Sequence, residues 1–269
     1  MTSTFDIKTR RRFGQNFLDM EMSKKIADDL PCCPQDCILE VGAGHGALTE
    51  WLLPKCSNLT AVEIDNFCIP KLREKFKNNK NFSLVHQNFL QFDIEKWVCE
   101  HPNSWITGNL PYNMATVIIT HILPHISKIK GCMFMAQAEV AERIAAKAGT
   151  KSYGSLSVFC ACYATSRIAR LISPEHFSPR PKVNSATIMF EPLEKPINTD
   201  EKFFEFIKAA FSQKRKTLAN SLLALCDKEK TLGILKDLHF SQSIRAEELS
   251  LNAFIEIYSI IFSSILKQK

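Results

Sequence analysis

Cys37-Ile38-Leu39-Glu40-Val41-Gly42-Ala43-Gly44-His45-Gly46 is the stretch that decides the fold. Its first five residues read as a buried strand. The three glycines at alternate positions read as the loop that follows, and residues 48–53 open a helix. A glycine loop between strand and helix lets backbone amides approach a ligand with no Cβ in the way. The spacing is Gly-x-Gly-x-Gly rather than Gly-x-Gly-x-x-Gly, so the dinucleotide fingerprint is imperfect. Outward from this loop the same alternation repeats. Residues 59–64, 82–86, 105–108 and 131–136 are strand-like, while 69–76, 115–126 and 139–148 carry helical patterns. Such alternation predicts a doubly wound α/β fold with a mostly parallel sheet covered on both faces. Residues 168–172 and 183–190 flank a Pro-rich loop and predict an antiparallel pair at the sheet edge.

Two prolines and mixed charge in Glu191-Pro192-Leu193-Glu194-Lys195-Pro196 mark a boundary. Beyond it the patterns are helical only, at 203–211, 217–225, 231–238 and 253–266. The expectation is a first domain over 1–194 and a small all-helical one over 195–269. The chain has 269 residues, 45% apolar and 23% charged. That is ordinary globular usage and excludes a disordered chain, a collagen-like repeat or a disulfide-built miniprotein. The net charge of +6 is too mild to name a partner, so any nucleic-acid surface must come from clustering. Ten cysteines sit among apolar neighbours, as in Val158-Phe159-Cys160-Ala161-Cys162. They read as reduced core thiols of a reducing compartment. Cys32, Cys33 and Cys37 have no second ligand pair at zinc spacing, so no metal is expected. Lys8-Thr9-Arg10-Arg11-Arg12 leads into Phe13-Gly14-Gln15-Asn16 rather than an apolar run, which argues against a secretory signal. No stretch reaches a membrane span. A cytoplasmic protein without membrane contact is expected.

Glu63 stands 21 residues after Gly42, at the end of the second strand. There a carboxylate can accept hydrogen bonds from both hydroxyls of a ribose. The third strand ends near Asn88, whose amide can bond an adenine edge. This arrangement suits S-adenosylmethionine as well as NAD, and the missing pyrophosphate fingerprint favours the sulfonium cofactor, which has no phosphates to cradle. Gly108-Asn109-Leu110-Pro111-Tyr112 follows the fourth strand, at the carboxyl edge of the sheet. The exocyclic amine of adenine is a poor nucleophile because its lone pair is delocalised. The Asn109 side-chain oxygen and the Leu110 carbonyl can grip its two N–H groups, with Pro111 fixing the turn that aims the carbonyl. That grip stabilises the positive charge developing on nitrogen. Tyr112 can stack on a base taken out of its helix.

At this point the residues resemble a known family, the small-subunit ribosomal RNA adenine N6-dimethyltransferases. The segments are Arg12-Phe13-Gly14-Gln15-Asn16-Phe17-Leu18, Leu39-Glu40-Val41-Gly42-Ala43-Gly44, Val62-Glu63-Ile64-Asp65, Gly108-Asn109-Leu110-Pro111-Tyr112-Asn113, Phe177-Ser178-Pro179-Arg180-Pro181-Lys182-Val183-Asn184-Ser185 and Phe211-Ser212-Gln213-Lys214-Arg215-Lys216-Thr217-Leu218. They run in the family's order. The resemblance implies a seven-stranded, Rossmann-like class I methyltransferase domain with a small helical C-terminal domain. It implies S-adenosyl-L-methionine as cofactor, with Asn16 and Leu18 closing over its methionine end, Gly42 and Gly44 in the loop, Glu63 on the ribose, and Asn88 at the adenine. Asn109 reaches both cofactor and target amine. Phe177 packs on the target base opposite Tyr112. At position 88 the family usually has Asp, and the proline usual between the two loop glycines is Ala43 here. The implied reaction is dimethylation of two adjacent adenines near the 3′ end of small-subunit RNA in an immature 30S particle, by a monomer. Basic clusters at residues 8–12, at Arg180 and Lys182, and at Lys214-Arg215-Lys216 suit RNA backbone contacts. The rival readings are a large-subunit adenine methyltransferase of the antibiotic-resistance type, a ribosome assembly factor acting chiefly by binding RNA, and a small-molecule methyltransferase.

Overall fold

The structure, a computed structural model, describes residues 17–266 except 196 and 198. The strands are β1 (Phe17–Leu18), β2 (Cys37–Val41), β3 (Asn58–Glu63), β4 (Phe82–His86), β5 (Ser104–Asn109), β6 (Gly131–Gln137), β7 (Ala164–Ile172), β8 (Phe177–Ser178) and β9 (Ser185–Pro192). The α-helices are α1 (Met20–Asp29), α2 (Thr49–Leu52), α3 (Ile69–Lys75), α4 (Ile94–Glu100), α5 (Ala115–Ile122), α6 (Ala138–Ala145), α7 (Ser155–Tyr163), α8 (Glu201–Ala210), α9 (Leu218–Ser221), α10 (Lys228–Asp237) and α11 (Leu251–Leu266). Contacts group the chain into two compact units. One holds the residues up to Ala141 together with Tyr163–Glu194, and the other holds Glu142–Cys162 together with the residues from Lys195 on. The sequence reading put 142–162 in the first domain, whereas contacts group them with the C-terminal helices.

The first unit is built on a seven-stranded sheet ordered β4-β3-β2-β5-β6-β9-β7. The five strands from β4 to β6 are mutually parallel. β2, β3, β5 and β6 are buried along nearly their whole length, which is why they read as apolar runs. The expected late pair is present as an antiparallel pair at the sheet edge. β9 lies antiparallel between β6 and β7, and β7 forms the outer edge with a register shift between Ile168 and Arg170. From β2 the chain lays strands to one side (β3, β4) and then to the other (β5, β6), so the crevice past the carboxyl ends of β2 and β5 is a topological switch point. The two strands meet closely there, since a Cβ on Gly108 would land on the Val41 carbonyl oxygen.

The opposite end of the sheet is closed by one acid. Asp36, 1% exposed, accepts from the Lys130 ammonium at 2.5 Å, the Trp105 indole at 3.2 Å and the Cys33 amide at 2.9 Å. Burial alone would raise its pKa. The Lys130 ammonium and the amide and indole donors overcome that and hold it below the usual carboxylate range.

In the second unit α7 supplies an apolar run, with Leu156, Val158, Cys160 and Cys162 buried. Phe159 packs on Phe204 of α8 with ring centroids 4.9 Å apart, and Tyr153 meets Phe211 edge-on at 5.8 Å. Asp200 caps α8 through the Phe203 amide and also accepts from the Tyr258 hydroxyl of α11. All ten cysteines are free thiols, and burial pushes Cys56 and Cys68 up to about 12. Among the described residues no three His, Cys, Asp or Glu side chains group to hold a metal, and no helix is long and apolar enough to cross a membrane.

Candidate active site

The glycine loop is shaped by backbone conformation before any side chain enters. Gly42 and Gly44 take φ of 72° and 56°, the left-handed region that glycine enters without strain. The Gly42 amide bonds the Val62 carbonyl, which keeps the loop registered on β3. Glu63, 3% exposed, then becomes the hub. Its Oε2 accepts from the Gly44 amide at 2.7 Å, and its Oε1 accepts from the Ile64 and Asp65 amides at 2.9 and 2.8 Å. Burial raises its pKa, and the three amides offset that only partly. The expected ribose ligand therefore also ties its own loop into shape.

Leu18 comes over the loop because β1 pairs antiparallel with β8, Leu18 opposite Phe177 and Phe17 opposite Ser178. Asp19 anchors that crossing. It caps α1 through the Met22 amide at 2.7 Å, and its Oδ2 meets His176 Nδ1 at 2.8 Å. Asn16 lies outside the described residues, as does the basic cluster at 8–12. The Phe17 ring stacks on His45 with centroids 4.1 Å apart and planes 8° from parallel.

The Asn-Leu-Pro-Tyr segment closes the other side. Asn109 is the last residue of β5, beside Met135 of β6. The Leu110 amide bonds the Met135 carbonyl at 3.1 Å, and the Pro111 carbonyl accepts from Met114 as α5 begins. Tyr112 is half-buried, with its hydroxyl 2.7 Å from Ser185 Oγ on β9. Burial raises the phenol pKa, so Tyr112 is neutral at physiological pH.

These residues line one pocket of about 850 Å³, which brings together Leu18, Gly42, Gly44, Glu63, Asn109, Leu110 and Tyr112. A second cavity of about 780 Å³ shares Gly42, Glu63 and Pro111 with the first and continues to Asn88, Ile64 and Leu90. Asn88 Oδ1 accepts from the Leu90 amide at 3.1 Å, capping a short 3-10 turn.

Phe177 departs from its expected place. It is 5% exposed, packs with Met22, Ile26 and Ile172 in the hydrophobic core, and is not part of the pocket lining. β8 turns it inward and leaves Ser178 outside, so in this structure it is a core aromatic rather than a stacking partner for Tyr112. Arg180 and Lys182 are exposed on the loop between β8 and β9, and Lys214, Arg215 and Lys216 are exposed in the second unit.

Sequence reasoning assigned no role to Glu40, Phe17, His45 or Thr187, which also line the pocket. Glu40 had a signal, a carboxylate inside a buried strand. It is 1% exposed, and the Thr49 hydroxyl donates to it at 2.6 Å. Burial pushes its pKa to about 7, with the Thr49 bond opposing and nearby Glu63 adding to the rise. A cationic group in the pocket would draw this carboxyl into its ionised form.

Known proteins resemble this chain along most of its length. The family model described as ribosomal RNA adenine dimethylase matches residues 6–262. A protein from Geobacter metallireducens called ribosomal RNA small subunit methyltransferase A is 38% identical, with 92% of this chain and 94% of that protein covered. The protein of the same name from Pseudomonas syringae is 36% identical, with both chains covered completely. Among solved structures, a dimethyladenosine transferase from Plasmodium falciparum superposes with a TM-score of 0.80 at 22% identity, covering 93% of this chain and 98% of that one. The 23S rRNA methyltransferase ErmE superposes with a TM-score of 0.69 at 22% identity, covering 92% and 100%.

Proposed function

Because the chain belongs to the ribosomal RNA adenine dimethylase family, we propose an assignment of its pocket to the steps of that reaction. The protein is an S-adenosylmethionine-dependent enzyme that dimethylates adenine in small-subunit ribosomal RNA. The cofactor, when bound, supplies a methyl group already activated by its sulfonium.

The pocket fits that cofactor. The positive-φ glycines place no Cβ between the loop backbone and a ligand, Glu63 offers carboxylate lone pairs beside them, and Glu40 offers a carboxyl that ionises in answer to a cation. The cavity running to Ile64 and Asn88 has mainly apolar walls suited to a flat base. On the acceptor side, Asn109 and the Leu110 carbonyl take the two N–H groups of the target amine and hold its lone pair towards the methyl. Tyr112, fixed by Ser185, presents a ring face on which the base stacks. Positioning and electrostatics then carry the transfer. The amine keeps its bond to Leu110 or Asn109 for the second methyl after losing one proton to water.

The targets in this proposal are two adjacent adenines near the 3′ end of the RNA. The substrate is an immature 30S particle, the enzyme a cytoplasmic monomer, and Arg180, Lys182 and Lys214–Lys216 contact phosphates. The observation that carries the reading is the meeting of Asn109, Leu110 and Tyr112 with Gly42, Gly44 and Glu63 in one pocket. The test is incubation with labelled S-adenosylmethionine and immature small subunits, then digestion of the RNA. N6,N6-dimethyladenosine from small-subunit RNA is expected. Label confined to large-subunit RNA would overturn the assignment.

A further inference from the structure

β9 brings two hydroxyls to the pocket side of the sheet, and they differ in what they hold. Ser185 Oγ is engaged by Tyr112 at 2.7 Å. Thr187, two residues on and so on the same face, is fully buried and lines the same pocket. Among the described residues nothing hydrogen-bonds its Oγ1. A buried hydroxyl without a partner destabilises a fold relative to a methyl of the same shape. Its place in the pocket wall points to a partner that arrives with a ligand.

Sheet register indicates which ligand. Asn109 lies opposite Met135, and Met135 lies opposite Thr187, so the three side chains form one row on one face of β5, β6 and β9. Two strand spacings put Thr187 about 10 Å from Asn109. The row leads away from the cofactor loop, because the loop follows β2 and β2 lies on the other flank of β5. A group that meets Thr187 therefore belongs to the acceptor base. Met135, 2% exposed, lies between the two and supplies a thioether floor suited to an aromatic ring. Resting on the adenine-methylating reading above, we propose that the Thr187 hydroxyl is a second polar anchor for the target adenine, bonding the ring edge remote from the amine held at Asn109. It positions the base in its own plane, which stacking on Tyr112 alone leaves free.

The test compares wild type with Thr187→Val, which keeps the shape and removes the hydroxyl, and Thr187→Ser, which keeps the hydroxyl. Melting temperature, affinity for S-adenosylmethionine, and kcat and KM for unmethylated small subunits are measured for each. The valine variant is expected to melt at or above the wild-type temperature and to bind cofactor normally. It should lose about tenfold in kcat/KM for the RNA substrate, and serine should restore activity to within about threefold. A valine variant with wild-type kinetics overturns the anchor. So does one that melts lower, one whose loss lies in cofactor affinity, or a serine variant as impaired as valine. A wild type that labels no small-subunit RNA overturns the functional reading and the anchor with it.

Discussion

The two ends of the central sheet are made of the same materials and arranged to opposite purposes. At the amino ends of β2, β5 and β6, Asp36 is buried and satisfied by an ammonium, an indole and an amide. At the carboxyl ends, Glu40 is as deeply buried but is met by Thr49, through hydroxyl and amide, with no cation among the described residues bonded to it, and its pKa climbs to about 7. Thr187 receives nothing from the described residues. One end uses its acid to hold strands together, while the other leaves Glu40 without an ion pair and Thr187 without a hydrogen bond among the described residues, both available to a ligand. A buried acid is thus informative only together with its list of donors.

The largest expected effect falls on the ligand end. Asn109→Ala should lower kcat for RNA methylation by about 10²–10³-fold, as removal of a charge-stabilising group does. The melting temperature should stay close to wild type, because Asn109 ends its strand. Methylation assays beside thermal melts would expose any mixing of the two roles, and a large drop in stability would contradict the division.

At the other end the pattern should invert. Asp36→Ala removes three hydrogen bonds to a buried acid and should cost about 2–3 kcal/mol of stability, with kcat unchanged at low temperature. Asp36→Asn sharpens this through pH. The folded-state pKa of Asp36 is lowered, so its stabilisation is present above the unfolded value near 3.8 and is lost as pH falls through the folded value. Acid unfolding should therefore be shallower in the asparagine variant than in wild type.

Glu40 has the reverse sign. Its folded pKa is raised from 4.5 to about 7, so ionising it in the empty fold becomes a burden as pH rises through that window. Glu40→Gln should raise the melting temperature at pH 8 and leave it little changed at pH 4. Wild-type affinity for the cationic cofactor should increase from pH 6 to pH 8, and the glutamine variant should lose that dependence. Titration calorimetry at the two pH values would show it, and a parallel profile in both proteins would remove Glu40 from the cofactor's surroundings.

The smallest effect is at Asn88. Asn88 Oδ1 already caps the turn through Leu90, and it carries no charge to strengthen a second bond. Asn88→Asp should tighten cofactor binding about fivefold, since hydrogen bonds to charged groups are worth roughly twice those between neutral ones. No gain would place the adenine contact on the backbone instead.

The sheet was legible because parallel strands covered on both faces must be continuously apolar, as β2, β5 and β6 are. Three helices escaped. In α1 only Met22, Ser23, Ile26 and Ala27 are buried, too thin a stripe to stand out in a polar sequence. α4 spans two turns. α7 is apolar on nearly all sides, so it has no period to detect, and with it went the grouping of residues 142–162. In the site, Gly42, Glu63 and Asn109–Tyr112 were readable because each sits in a contiguous motif at a strand end. Thr187 reaches the pocket, and Ser185 reaches the Tyr112 hydroxyl, through the pairing of β9 with β6. Register across a sheet leaves no mark in a single sequence when both strands are buried. Phe177 shows the converse, a residue whose motif is plain and whose orientation is set by a two-residue ladder with β1.

The meeting of Gly108 with the Val41 carbonyl has a bearing on how the enzyme can evolve. One residue beyond each lies the start of a different half of the machinery, Gly42 for the donor and Asn109 for the acceptor. No side chain stands between the two backbones, so their separation is a gauge cut into the main chain. Repacking of the interior can drift without resetting the distance a methyl group must travel. Lineages of this architecture are free to change which base they accept, by altering walls such as β9, while inheriting the same stroke length.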